Sequence, residues 1–346
     1  MSKEMQLVSI CIPNYNYGRY LKQCLESVLN QTYTNIEVIF RDNASTDNSM
    51  EIAYEYQKKF KEKGIYFSIT QNKRNVGSDR NSALCLGDAE GMYIYTLASD
   101  DAIHPEFVER CVEVFTKHPN VGMVITNRSE MDDDGKIREC APFYNTDCVI
   151  KGEDQAAVFM MAGIGIPGQR MVKRGAARQL VNYGASYQVA GDWFVNFRYA
   201  CTNDIAYLTA PLCWYRVHFG NETSESELNL LGIFEHYRLI NQFVFIAEQF
   251  GLKKVVDRYD EAVKKLGSMC LRYTITMLKI ERMDVAEQYM NLALFFDEDL
   301  ENSERYQEML SIMKLDADEI KEILKQDKYN TTRTVSYDPP SGYYEV

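Results

Sequence analysis

Two adjacent carboxylates, Asp100 and Asp101, follow an apolar run rich in β-branched and aromatic residues, Met92 to Leu97. The run reads as a buried strand. The acids therefore stand just beyond its carboxyl end, and Pro105 suits the first turn of the helix that follows. Like charges held side by side repel. A divalent cation removes that cost, and a cation so placed holds a diphosphate. In open α/β sheets, ligands sit in the crevice beyond the strand carboxyl ends. Taken alone, the pair reads more readily as an ordinary acidic turn with Asp101 opening a helix. The loops elsewhere in the chain reverse that balance.

Those loops need strands to present them. Leu7 to Ile12, closed by Pro13, is a first buried strand, and the turn after it carries Tyr15, Asn16 and Gly18. Leu21, Cys24, Leu25, Val28 and Leu29 then recur at helical spacing. Ile36 to Phe40 is a second strand ending in a polar cluster from Arg41 to Asp47, where Thr46 or Asp47 suits a helix N-cap. Ile65 to Thr70 is a third, followed by the polar segment NKRNVGSDRN. Strand and helix alternate from here through the diaspartate strand. That pattern predicts a parallel sheet with helices on both faces and all four loops on one edge. No GxGxxG or GxxxxGK[ST] occurs, which counts against a dinucleotide enzyme and a P-loop NTPase.

Further on, Val121 to Thr126 reads as a strand and MDDDGK (131–136) as a hairpin turn. Its three acids suit an exposed turn better than a metal site, since turns favour Asp and Gly. Gly163 to Gly168 reads as a flexible loop before a strand at Arg170 to Val172, and Gly191-Asp192-Trp193 opens a helical segment. Leu212 to Val217 is a last strand. Beyond Leu228 only helical periodicity remains. Leu231, Phe234, Tyr237, Ile240, Val244 and Ala247 are expected on one face, with later helices at 284–296 and 301–325.

A net charge of −12 argues against a nucleic-acid binder, whose affinity needs clustered cations, and against broad adhesion to an anionic membrane. Nine scattered cysteines, an odd number with no CxxC pair, suit reduced thiols in a cytoplasm rather than a disulfide framework. The opening residues lack a charged segment followed by an apolar core, so no signal peptide is expected. No apolar run approaches about 18 residues, so no transmembrane helix is expected either.

With the loops assembled, the first 220 residues resemble the family-2 glycosyltransferases of GT-A fold. The opening segment VSICIPNYNYGRYLKQCLESVLNQTYTNIEVIFRDNASTDNS is similar to that family's almost throughout. RNVGSDRNSALCLGDAEGMYIYTLASDDAIHP resembles its donor and metal segment, and AGDWFVNFR the segment bearing its catalytic carboxylate. YRVHFGNETS is similar to the motif that closes its domain. The resemblance implies an α/β catalytic domain at 1–225 with a Rossmann-like, nucleotide-binding, mostly parallel sheet flanked by helices. It does not cover the rest of the chain, where helical spacing gives a C-terminal all-α appendage at 226–328 and paired prolines with little periodicity give an extended or mobile tail at 329–346.

The implied activity is inverting transfer of a sugar from a nucleoside diphosphate to a hydroxyl of a glycan or lipid-linked acceptor, in surface polysaccharide synthesis. By the same resemblance, Pro13 and Tyr15 line the nucleobase pocket, and an aromatic face suits a planar base. Asp42 and Asn43 match the pair that reads uracil. Family members usually carry a second Asp at the latter position, which leaves UDP and dTDP both open as donors. Arg74, Arg80 and Asn81 fall near the base and diphosphate edge, with Ser99 beside the acidic turn. Asp100 falls at the ribose, and Asp101 falls on Mn²⁺ or Mg²⁺ with Asp100 and His218 as further ligands. Many relatives have an Asp where this chain has Ala98. Asp192 is implied as general base, although without the resemblance it reads more readily as a helix N-cap after Gly191. The lack of a QxxRW motif near Trp214 argues for single additions over processive polymerisation. The site is expected at the cytoplasmic side, with peripheral membrane contact and homodimerisation through the C-terminal helices left open.

Two alternatives stay in view. A sugar nucleotidyltransferase needs a Gly- and Arg-rich phosphate loop after the first strand, where PNYNYGR offers one of each. A non-catalytic GT-A-like binding or scaffold protein draws its support from Ala98 and Asn43.

Overall fold

The computed structural model describes residues 6–175, 187, 189–218, 226–329 and 335–346. The first three strands, β1 (Val8–Asn14), β2 (Ile36–Asp42) and β3 (Tyr66–Gln71), are parallel, with helices Gly18–Leu29 and Ser49–Glu62 between them. β1 and β2 are apolar runs buried on both faces, as a covered parallel sheet requires, whereas β3 at the sheet edge is largely open, with Tyr66 65 % exposed. After helix Ser78–Gly87 the chain returns to the other side of β1 as β4 (Tyr93–Thr96). The order β3-β2-β1-β4 thus reverses at β1, and the loops after β1 and β4 open onto one crevice. Gly91 permits that return. A Cβ there would lie 2.6 Å from the Ser9 amide nitrogen and 2.8 Å from the Leu7 carbonyl oxygen.

The rest of the sheet mixes directions. β5 (Ala102–Ile103) is a two-residue strand, and β6 (Val121–Met131) forms a hairpin with β7 (Ile137–Glu139) through the acidic turn. β8 (Cys148–Ile150) pairs antiparallel with the long β10 (Asp204–Arg216), and β10 runs parallel to β6. β9 (Arg170–Lys173) is wedged antiparallel between β4 and β6, giving the path β3-β2-β1-β4-β9-β6-β10-β5. This is the mostly parallel α/β sheet flanked by helices that the alternating pattern predicts.

Several local expectations need correction. Asp101 opens no helix: it leads into β5, and the next helix is Phe107–Lys117, two residues past Pro105. Asn48 occupies the N-cap position of the helix after β2 but makes no side-chain capping bond; the Asp47 carboxylate, one residue earlier, accepts the Ser49 amide at 3.0 Å. The loop read as flexible at 163–168 is pinned. Tyr95 Oη donates to Gly168 O at 2.8 Å, and Gln169 Nε2 donates to Thr126 O at 2.8 Å.

The C-terminal helices include Leu231–Phe250, Tyr259–Lys279 and Met283–Phe296. Phe234, expected inside, is 50 % exposed, and the buried stripe runs through Ile233, Leu239, Ile240, Phe243 and Ala247. This helix is apolar on most sides, so periodicity alone could not orient it. The single helix expected at 301–325 is broken into Glu304–Ile312 and Ala317–Ile323, because Ser303 and Asp316 each cap a new start. Residues 335–346 are extended and held down: Tyr337 pairs with Tyr144, and Tyr344 exchanges backbone hydrogen bonds with Val149. The remaining tail residues 330–334 and the closing loop at 219–225 lie outside the described residues. One hydrophobic core runs from Ile94 and Ile125 on the sheet through Phe197 to Phe243 and Ile275 of the C-terminal helices. Among the described residues, no helix is long and apolar enough to cross a membrane.

Candidate active site

One end of the crevice is built at the carboxyl ends of β1, β2 and β3. Asp42 is fully buried, and both its oxygens are engaged. Oδ1 accepts from Asn14 Nδ2 at 2.8 Å and Ser45 Oγ at 2.6 Å. Oδ2 accepts from the Ser45 amide at 2.8 Å and Gln71 Nε2 at 3.1 Å. The carboxylate thus ties three strand ends together and holds the turn in which Ala44 adopts a left-handed φ of 62°. Asn43 is equally occupied. Its Oδ1 accepts from Asn72 Nδ2 at 3.0 Å and the Val76 amide at 2.9 Å. Its Nδ2 donates to Asn75 Oδ1 at 2.9 Å and Gly77 O at 3.3 Å. A carboxylate cannot make those last two bonds, which gives a physical reason for Asn at this position. Pro13 is half-buried in β1, Tyr15 beyond it is 43 % exposed, and Arg74 and Arg80 are exposed. Asn81 is buried, donating Nδ2 to Arg41 O at 3.2 Å and accepting Asn72 Nδ2 at 2.8 Å.

Beyond β4 the chain turns tightly, with the Asp101 amide donating to Ala98 O at 3.0 Å. Ser99 in this turn is buried, and its hydroxyl has no hydrogen-bond partner among the described residues. Asp100 is half-buried, and its Oδ2 lies 3.1 Å from His218 Nε2. Asp101 is 3 % exposed, and its Oδ1 accepts the Arg216 amide at 2.8 Å. Burial first, then the charge of Asp100, pushes the Asp101 carboxyl well above the ordinary range; the Arg216 amide and the charges of Arg128 and Arg216 oppose this. Gly168 closes over it: a Cβ there would stand 3.3 Å from Asp101 Oδ2 and 3.2 Å from Cys213 Sγ.

Arg216 joins these pieces. It is 2 % exposed and donates Nε to Asp100 O at 2.8 Å, Nη1 to Asp132 O at 2.5 Å and Nη2 to Gln23 Oε1 at 2.6 Å. Its guanidinium lies over the Tyr20 ring at 4.3 Å. Tyr20 Oη in turn donates to Asp133, and the rings of Tyr17 and Tyr20 flank His218 at 5.6 and 5.5 Å. The hairpin turn is therefore a turn, as expected, and also one wall of the diaspartate corner. Sequence reasoning passed over Arg216, Tyr17, Tyr20 and Gln23. The available signal was an arginine inside the apolar run LCWYRV.

Asp192 is the second residue of helix Gly191–Ala200. Its Oδ1 accepts the next amide, of Trp193, at 2.6 Å, and Arg170 Nη1 donates to its backbone oxygen at 3.1 Å. Burial raises its carboxyl above the usual range, with the Arg170 charge the main opposing cause. A raised carboxyl is a stronger base once deprotonated. The pinned loop links this helix to the acidic turn, because Arg170 Nη1 also reaches Gly165 O at 3.0 Å while Gly168 abuts Asp101.

Among the described residues, no three His, Cys, Asp or Glu side chains converge as a ready-made metal cage. The donor chemistry of the acidic turn nevertheless fits a divalent cation. It offers two carboxylates and an imidazole, with one carboxylate raised by a like charge that a cation would neutralise.

Residues 9–181 match the family model described as glycosyl transferase family 2. Chondroitin synthase from Escherichia coli is 29 % identical over 252 residues, covering 73 % of this chain and 34 % of that protein. Glycosyltransferase GlyG from Streptococcus pneumoniae is 25 % identical over 327 residues, covering 90 % of this chain and 96 % of its own. This chain spans about a third or less of the chondroitin and hyaluronan synthases it matches. Among solved structures, Staphylococcus aureus TarS 1–349 superposes with a TM-score of 0.56 at 16 % identity, over 93 % of this chain and 90 % of that one. The mannosyltransferase PcManGT from Pyrobaculum calidifontis, in complex with GDP-Man and Mn²⁺, gives 0.54 at 14 % identity, over 95 % and 83 %.

Proposed function

The chain belongs to glycosyltransferase family 2 and has the GT-A fold, and we propose that it is an inverting transferase moving a sugar from a nucleoside diphosphate to an acceptor hydroxyl. The observation that carries this reading is the pairing of Asp192, half-buried with a raised carboxyl, with the acidic corner of Asp100, Asp101 and His218 across one pinned loop. In the reaction, the Asp192 carboxylate takes the proton of the acceptor hydroxyl. The freed oxygen attacks the anomeric carbon, and the bond from that carbon to the diphosphate breaks on the opposite face. A nucleoside diphosphate leaves without protonation, so no second acid is needed, unlike in glycosidases. A bound Mn²⁺ or Mg²⁺, held by Asp101 and Asp100 with His218, would stabilise the departing charge. Tyr15, exposed at the end of β1, is assigned to the base, over a floor held rigid by Asp42 and Asn43.

We assign the donor as UDP-linked, dTDP being the alternative, and the acceptor as a growing surface glycan. Relatives named chondroitin synthase, and a structural neighbour solved with UDP-GlcNAc, support that choice. The division near residue 225 between catalytic and helical parts belongs to the same reading. A cytoplasmic setting suits nine free cysteines, seven of them buried. A second reading, a nucleotide-sugar-binding scaffold, is favoured by the engagement of both Asp42 and Asn43 within the fold. One experiment decides between them. Asp192→Asn should keep donor affinity and lose transfer by on the order of 10²-fold or more. Wild-type turnover in that variant removes Asp192 from the mechanism, and no turnover in the parent protein favours the scaffold.

A further inference from the structure

The helix that carries Asp192 is seated on the C-terminal helices, and one side chain makes the joint. Glu235, on helix Leu231–Phe250, is 8 % exposed. Its Oε2 accepts the Val189 amide at 2.8 Å and the Ala190 amide at 3.1 Å. Ala190 is the N-cap of helix Gly191–Ala200, so this carboxylate sits where helix amides lack intrahelical partners. It also places negative charge at the positive end of the helix dipole, two residues before Asp192. Packing reinforces the joint. Phe243 stacks on Phe197 at 3.8 Å, and His236 meets Trp193 edge-on at 5.0 Å. Arg170 holds the Asp192 carbonyl from the sheet side. The backbone around Asp192 is thus gripped from two directions.

We propose that Glu235 is a positioning residue for transfer, reaching out of the C-terminal helices to fix the turn that presents Asp192. The inference rests on Asp192 being the base. It gives the helices after β10 a part in catalysis that composition and periodicity do not suggest. Among the described residues, the charged and titratable groups around the pair include Arg170 and Arg128 on the Asp192 side, and Tyr187, His236, Arg238 and Arg272 on the Glu235 side. Removing the Glu235 charge leaves the helix terminus more positive, which favours the Asp192 carboxylate and lowers its pKa. Gln retains one acceptor oxygen for the two amides, whereas Ala retains none.

The test measures release of UDP from UDP-N-acetylglucosamine with Mn²⁺, in the full chain, as kcat and KM against pH. Glu235→Ala is expected to lower kcat by about 10- to 100-fold, the scale of a misplaced catalytic group, with donor KM unchanged. Glu235→Gln is expected to lose far less. In both, the acid limb of kcat moves to lower pH, a shift that a purely structural role would not produce. Thermal unfolding verifies that Glu235→Gln is folded, so its pH limb decides the matter even if Glu235→Ala is not. An acid limb in Glu235→Gln that stays at the wild-type position overturns the proposal. Asp192→Asn run alongside separates the two failures. Wild-type release there sinks the base assignment, whereas an inactive Asp192→Asn beside unaltered Glu235 variants sinks only the role of Glu235.

Discussion

Replacing Arg216 by Met tests how the diaspartate corner is held. The side chain is 2 % exposed and supplies three short hydrogen bonds, to Asp100 O, Asp132 O and Gln23 Oε1. Hydrogen bonds to a charged group contribute about 1.5–3 kcal/mol each. Met fills similar volume but leaves those acceptors unpaired beneath the Tyr20 ring. Recovered desolvation of the guanidinium offsets part of the loss. The net cost expected is about 3–5 kcal/mol, the range for breaking a buried charged network by removing one partner. That is a large share of a total of about 5–15 kcal/mol, and corresponds to a fall in Tm of roughly 4–7 °C. The bond from the Arg216 amide to Asp101 Oδ1 is a main-chain bond and survives the substitution. Lys at 216 keeps the charge but reaches only one of the three acceptors, so it should fall between the two. Guanidinium denaturation gives the stability, and calorimetric titration of UDP with Mn²⁺ gives the consequence for binding. A loss below about 1 kcal/mol in Arg216→Met would show that the network is ornamental, and would refute the reasoning.

Two further outcomes follow from the geometry. Asn43→Asp should cost about 1–3 kcal/mol in urea denaturation, because the carboxylate cannot donate to Asn75 Oδ1 and Gly77 O. A variant at least as stable as the parent would contradict this. His236 is pushed down to about 4 by burial, then by the charge of Arg272. Its unfolded value is about 6.5, so below that pH the unfolded chain takes up a proton that the folded one refuses. Stability should therefore fall as pH drops from about 6.5 toward 4 more steeply in the wild type than in His236→Phe, with parallel curves above that window. Parallel curves throughout would show that His236 titrates normally.

The strands after which chemistry was expected are present because their apolar runs permit little else. LVSICI, IEVIF and MYIYTL are short, mostly buried apolar runs closed by polar turns, and their length and β-branched and aromatic content recover them. Short strands such as β5 and β8 were missed, since two or three residues carry no period. The orientation of helix Leu231–Phe250 was also missed, because Phe234 and Phe245 on its exposed side are as apolar as the residues inside.

The amino-acid order alone determined which groups stand at strand ends, since a strand's length and its closing turn are local matters. It placed Asp42 at the end of β2, and Asp100 and Asp101 beyond β4, without any knowledge of packing. What those groups touch was decided only by the fold. Arg216 meets Asp100 across 116 residues of chain and Gln23 across 193, and Glu235 meets Ala190 across 45. Hydrogen bonds at such separations depend on how sheet and helices close on one another, and nothing in the neighbouring residues encodes them. For that reason the sequence carried the chemistry of the site, and the tertiary structure alone assigned the supports that hold it.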